Sequence, residues 1–159
     1  MANARNGFSL IELIVIVSII GILVMIAVPN LNRSHMNLMA GREELEANIR
    51  MVRGNATGRG VHYRVTLHPD SYEIDRLKLA ADGVTWVHDS LYSVQTVQLP
   101  KNITITTGAG MAFEFNSRGL LEKQADGTPA VQVSVTLRDS RDNSTQSVSI
   151  WPSGQILRN

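Results

Sequence analysis

Hydrophobic and polar positions along the chain fall into three successive regimes. Residues 8–29 read FSLIELIVIVSIIGILVMIAVP; between 13 and 28 no residue is charged, and only Ser18 and Gly21 interrupt the apolar run. A helix from Phe8 to Val28 extends about 30 Å, which matches a bilayer core. A buried core helix is the alternative, but a small domain hardly covers a helix apolar on every face. A secretory signal peptide is another. It needs a small-x-small cleavage site after its core, whereas this run ends Ala27-Val28-Pro29-Asn30. The expectation is a single membrane helix over 8–29. Arg5, the one charge of the polar head, places the N-terminus on the cytoplasmic side and the rest of the chain outside.

Pro29 closes the apolar run and is expected to kink or locally melt the helix. Beyond it Leu31, His35, Leu38, Arg42, Leu45, Ile49, Val52 and Ala56 recur at spacings of four and three, an amphipathic stripe that Met39 widens. Arg42, Glu43, Glu44, Glu46, Arg50 and Arg53 are assigned to the other faces. The stripe predicts a helix over 30–57 packed on a sheet, with the glycine-rich run 54–60 ending it. A free coiled coil is the alternative, for which the stripe is short and broken.

From Val61 onward the period is two. Apolar and polar residues alternate in 61–67 and 72–77, and further short runs fall at 84–87, 91–99, 103–107, 112–115, 131–137 and 148–151. Turn signals such as Pro69-Asp70, Asp82-Gly83, Arg118-Gly119 and Ser153-Gly154 separate them. Short strands with frequent turns predict antiparallel sheets, so the whole is α+β, with a β-rich region over 61–159.

Composition narrows the chemistry. The 159 residues suffice for one domain with an appendage, and 43% hydrophobic content argues against wholesale disorder. The absence of cysteine removes disulfides, thiolate metal sites and a thiol nucleophile. His35, His62, His68 and His88 lack zinc-helix spacing; His62 and His68 flank one strand, but no third ligand is implied. No nucleophile elbow, phosphate loop or dinucleotide fingerprint occurs. Asp82 and Asp89 read as solvated loop charges, and Trp86 and Trp151 as packing rather than a stacking platform. No enzyme activity, cofactor or metal is expected.

Glu12 is the odd residue of the apolar segment. A carboxylate there is costly unless paired or protonated, or unless it lies at the interface near the helix N-terminus. Gly7 precedes Phe8, and a cut between them would create an α-amine one helical turn before Glu12. That cut also removes Arg5 and balances the formal net charge of +1. Amine and carboxylate can then neutralise each other, within one chain or between neighbours.

The run Gly7-Phe8-Ser9-Leu10-Ile11-Glu12, the apolar stretch and Pro29 resemble the class III signal of type IV pilins and type II secretion pseudopilins. The resemblance implies a leader, residues 1–7, removed by a prepilin peptidase between Gly7 and Phe8, with methylation of the new amine. It implies that Glu12 pairs with the Phe8 amine of an adjacent subunit. It also implies a pilin-like fold, with a membrane half of the helix over 8–29 and a periplasmic globular domain over 30–159. Phe115 to Gly119 forms a Phe-x-x-x-Gly element, and the chain closes with Gly154-Gln155-Ile156-Leu157-Arg158. Both are similar to the GspH/FimT family of minor pseudopilins and minor pilins. Gln155 departs from that family's Gly-Arg-Val-Arg-like ending, and only Arg158 matches it.

The expected function is a minor pseudopilin of a type II secretion system, anchored in the inner membrane and built into a pseudopilus. Expected partners are other pilin-like subunits, the prepilin peptidase, the inner-membrane assembly platform and membrane lipid. A minor pilin in type IV pilus assembly or DNA uptake is the alternative, and a membrane-tethered binding domain that never polymerises is a third. Some relatives bind DNA through basic residues near the C-terminus, which here are Arg138, Arg141 and Arg158. Asp139 and Asp142 intervene, so nucleic acid is not an expected partner.

Overall fold

The computed structural model describes the backbone of residues 9–124 and 131–158, and their side chains except those of 26–35, 123 and 124. The leader with Gly7 and Phe8 lies outside the described residues. The element order is α1 (Leu10–Arg59), β1 (His62–Leu67), β2 (Ser71–Leu79), β3 (Trp86–His88), β4 (Gln95–Gln98), β5 (Ile103–Thr107), β6 (Ala112–Phe115), β7 (Leu121–Gln124), β8 (Val133–Asp139), β9 (Thr145–Ile150) and β10 (Ile156–Arg158). The helical span continues through Pro29, so no melted turn interrupts it there. The chain divides into two compact units, Met1–Ser34 and His35–Asn159.

In the first unit the helix starts at a serine cap. Ser9 Oγ accepts from the Ile11 amide at 3.3 Å, and the Ser9 carbonyl accepts from Leu13 at 3.2 Å. Every described side chain from Leu10 to Met25 is exposed. Ser18 is the one hydroxyl in this run, and its Oγ donates back to the Ile14 carbonyl at 2.8 Å. Among the described residues no helix is long and apolar enough to cross a membrane.

The second unit has its own core. Its sheets are antiparallel: six strands in the order β3-β2-β1-β6-β7, with β4 also on β2, and four strands in the order β10-β9-β8-β5. Leu38, Leu45, Ile49, Val52 and Ala56 of the helix are fully buried, as the stripe predicts. They join one cluster with Val65, Phe113 and Phe115 of the first sheet and Val135, Leu137 and Ile150 of the second. Tyr72 Oη anchors the helix to β2 by accepting from Asn48 Nδ2 at 2.6 Å. Burial raises the Tyr72 phenol to about 12, against the smaller opposing effect of that bond.

The local reading needs four corrections. Met39 does not widen the buried stripe; it is 38% exposed. Glu46, assigned to an outer face, is 2% exposed. It stands four residues after Arg42 and three before Ile49, so the helical period turns it inward. Asp89 is buried rather than solvated, because Arg76 Nε at 3.5 Å and Lys78 Nζ at 4.0 Å face its carboxylate. The run 91–99 yields a strand only at Gln95–Gln98, leaving Leu91 85% exposed in the connection.

Candidate functional site: the apolar helix and its clasp

Glu12 lies in the first turn of α1, where the free backbone amides favour a negative charge, and it is exposed. It is the only charged residue among the described side chains from Leu10 to Met25. The geometry therefore presents one carboxylate at the polar end of an uncovered apolar surface.

The globular unit holds the other half of the same helix with a polar clasp. The Phe115–Gly119 element forms a compact turn around Asn116. Its Oδ1 accepts from the amides of Arg118 at 2.9 Å and Leu120 at 3.0 Å. A second turn follows β9, where Gly154 N donates to the Trp151 carbonyl at 2.7 Å and Trp151 N to the Gln155 carbonyl at 2.8 Å. The two turns are tied by Leu121 N donating to the Pro152 carbonyl at 3.0 Å. Arg53 of α1 reaches both: Nε donates to the Gly119 carbonyl at 3.2 Å and Nη2 to the Ser153 carbonyl at 3.4 Å. Gly119 and Gly154 have φ of +72° and +76°; a Cβ on Gly119 would collide with Thr57 Cγ2 and crowd Arg53, and one on Gly154 would collide with the Gly119 carbonyl and with Arg53.

Two turns earlier on the helix, buried Glu46 gathers two arginines. Its Oε1 accepts from Arg50 Nη2 at 2.7 Å, and its Oε2 accepts from Arg158 Nε of β10 at 2.8 Å. Burial pushes the carboxyl upward, but the bonds and charges of Arg50 and Arg158 outweigh it and hold the group below its ordinary 4.5. A depressed carboxyl contributes stability that is complete above its unfolded pKa and disappears as pH falls through the folded one. Glu46→Gln is therefore expected to flatten the acid limb of stability. Urea unfolding from about pH 3 to about pH 7 checks this; the wild type loses stability toward acid more steeply than the variant.

The remaining expected residues have these places. Arg141 bonds Asp139, with Nη2 at 2.6 Å from Oδ2, and Arg138 bonds Asn143 Oδ1 within the β8–β9 turn. With Arg158 on Glu46, the three tail arginines each hold a partner within the fold. His62 stacks on Trp86 at 3.6 Å, and Trp86 is thereby a stacking partner in the fold. His68 Nε2 lies 3.6 Å from Glu73. Glu46, Arg53 and Gly154 are the clasp residues that periodicity missed; their signal was the Phe-x-x-x-Gly element and the matching glycine and arginine of the ending.

With this geometry in view, comparison with known proteins finds the prokaryotic N-terminal methylation motif over residues 2–28. The fold is similar to that of the minor pseudopilin EpsH from the type 2 secretion system of Vibrio cholerae, at a TM-score of 0.53 and 11% identity over 77% of this chain and 96% of that one. It is equally similar to the type IV minor pilin FimU of Pseudomonas aeruginosa, at a TM-score of 0.52 and 13% identity over 77% of this chain and 92% of that one. A search of curated proteins gives no significant match. Motif and fold together define a type IV pilin-like protein. Its globular part has the fold shared by EpsH and FimU, a helix packed on antiparallel sheets.

Proposed function

We propose that this chain is a membrane-anchored filament subunit, a minor pseudopilin of a type II secretion system, processed at Gly7–Phe8 by a prepilin peptidase. The observation that carries the reading is the methylation motif over residues 2–28, which takes in the exposed apolar start of α1 and its one carboxylate, Glu12. In this role the apolar helix anchors the subunit in the inner membrane and then packs with other pilin-like helices. Glu12 neutralises the neighbour's Phe8 amine, and Pro29 marks the passage from bilayer to periplasm. The work done is mechanical, and the chain contributes no catalytic group.

Intact-mass measurement of the membrane-extracted protein tests the processing. The expected mass lacks residues 1–7 and carries one methyl group; an unprocessed chain would point to a tethered binding domain.

The choice of secretion over pilus function rests on the tail arginines. Non-specific DNA affinity comes from cations free to displace counterions along phosphates. Arg138, Arg141 and Arg158 are each engaged within the fold, which favours a subunit with no nucleic-acid duty. A deletion strain separates the roles. The secretion reading expects exported enzymes to accumulate in the periplasm with surface pili intact. Lost pili or lost DNA uptake with normal secretion would reverse the assignment to a minor pilin.

A further inference from the structure

The clasp gathers more positive charge than it neutralises. Glu46 is buried, and its oxygens are taken by Arg50 and Arg158, whose side chains remain 58% exposed. One carboxylate therefore serves two guanidiniums. Arg53, about one turn after Arg50, bonds only the Gly119 and Ser153 carbonyls, so its charge has no carboxylate partner among the described residues. Arg118, the residue before Gly119, is exposed, and its guanidinium makes no bond or ion pair among the described residues. Four guanidiniums thus share one sealed carboxylate where the helix, the turn after β6 and the turn after β9 meet.

These groups are not a loose solvated fringe. Arg53 is half-buried and tethered to both turns, and Arg50 and Arg158 are fixed through Glu46. Their ordering is therefore complete before any partner arrives. Each of these three still keeps at least one terminal nitrogen without a hydrogen bond among the described residues. Apolar side chains stand among them. Met51 follows Arg50, Leu120 follows Arg118 and Gly119, and Trp151 opens the second turn; all three are exposed. Arginine beside tryptophan and methionine is the composition of a protein–protein interface. Duplex nucleic acid instead draws its affinity from cations laid against many successive phosphates. A compact cluster interleaved with apolar side chains offers no such row.

We propose that this end of the globular unit is a docking surface for an acidic, partly apolar segment of a partner protein. Its carboxylates take the unbonded nitrogens of Arg50, Arg53, Arg118 and Arg158, and its apolar side chains cover Leu120 and Trp151. The guanidinium is a flat fork that matches a carboxylate, and Glu46 is the fold's own instance of that match. The surface lies wholly within the globular unit and needs neither cleavage at Gly7–Phe8 nor assembly into a filament.

Fluorescence anisotropy on the full chain in non-ionic detergent, read against protein-free micelles, tests this with a short labelled peptide of alternating glutamate and tyrosine. Saturable binding is expected. Arg118→Glu should weaken it about tenfold, the loss of one charge-assisted pair, and the fold should stay intact because that side chain holds nothing in place. Trp151→Ser should weaken it as well, and an all-glutamate peptide of the same length should bind less tightly. Lys101→Glu makes the same charge change in the loop where Pro100 lies against Gly41, and should leave binding unchanged. Absence of saturable binding, or an equal loss in Lys101→Glu, would overturn the proposal. Tighter binding of duplex DNA than of the peptide would overturn it too, and would give the surface to nucleic acid.

Discussion

Gly154→Ala is expected to destabilise the globular unit by about 3 kcal/mol or more, enough to lower its melting temperature by about 10 °C. The backbone at Gly154 sits at φ +76°, where any side chain is strained. Space is the second obstacle. A Cβ there would run into the Gly119 carbonyl oxygen and lie 2.6 Å from Arg53 Nε. The first of these is backbone, so it cannot swing aside, and Arg53 yields only by releasing the Gly119 and Ser153 carbonyls. Gly54→Ala is the matched control. Gly54 lies inside α1 with nothing within 4 Å of an added Cβ, so alanine there should stabilise by about 0.5–1 kcal/mol. Thermal unfolding of a fragment spanning 35–159 compares the two. Equal small effects would show that the clasp is loose.

Glu12→Val is expected to leave membrane insertion unchanged and to reduce incorporation into filaments by about a hundredfold or more. Insertion gains from losing a charge in an apolar segment. In the proposed filament, assembly would lose because each neighbour's α-amine would enter the helix bundle without a counter-charge, a penalty of about 3–5 kcal/mol for a broken buried pair. The exposure of Glu12 beside uncovered apolar side chains leaves the carboxylate available for such a partner. Cysteine cross-linking between subunits in membranes reads the outcome. Undiminished cross-linking by the valine variant would reduce Glu12 to an interfacial residue.

The parts of this fold visible in the sequence are those governed by short periods. Leu38, Leu45, Ile49, Val52 and Ala56 declared the buried helix face, and Ile103–Thr107 and Ala112–Phe115 declared their strands to the residue. β7 escaped because Leu121-Glu122-Lys123-Gln124 offers one apolar residue and no alternation. Leu91 and Val94 read as strand positions, yet they lie in an exposed connection before Gln95. Asp89 and Glu46 escaped for a different reason. Their burial depends on Arg76, Lys78 and Arg158, partners brought near by sheet register, which no local pattern encodes. At the start of α1 the sequence carries more than the fold does. Gly7, Phe8 and the carboxylate four residues later belong to the methylation motif from which the proposed processing is read, whereas the described structure holds only the carboxylate.

The pairing of Glu46 with Arg158 also sets an order of events during biosynthesis. The two residues are 112 positions apart, which at ordinary translation speed is a delay of about ten seconds. Through that interval Glu46 has only Arg50, one turn away, to offset its charge. The helix can therefore form early, but the carboxylate is sealed only when β10 arrives and closes the second sheet. A nascent chain thus remains an open half-domain until β10 docks, and in that period it depends on whatever shields unfinished chains from one another.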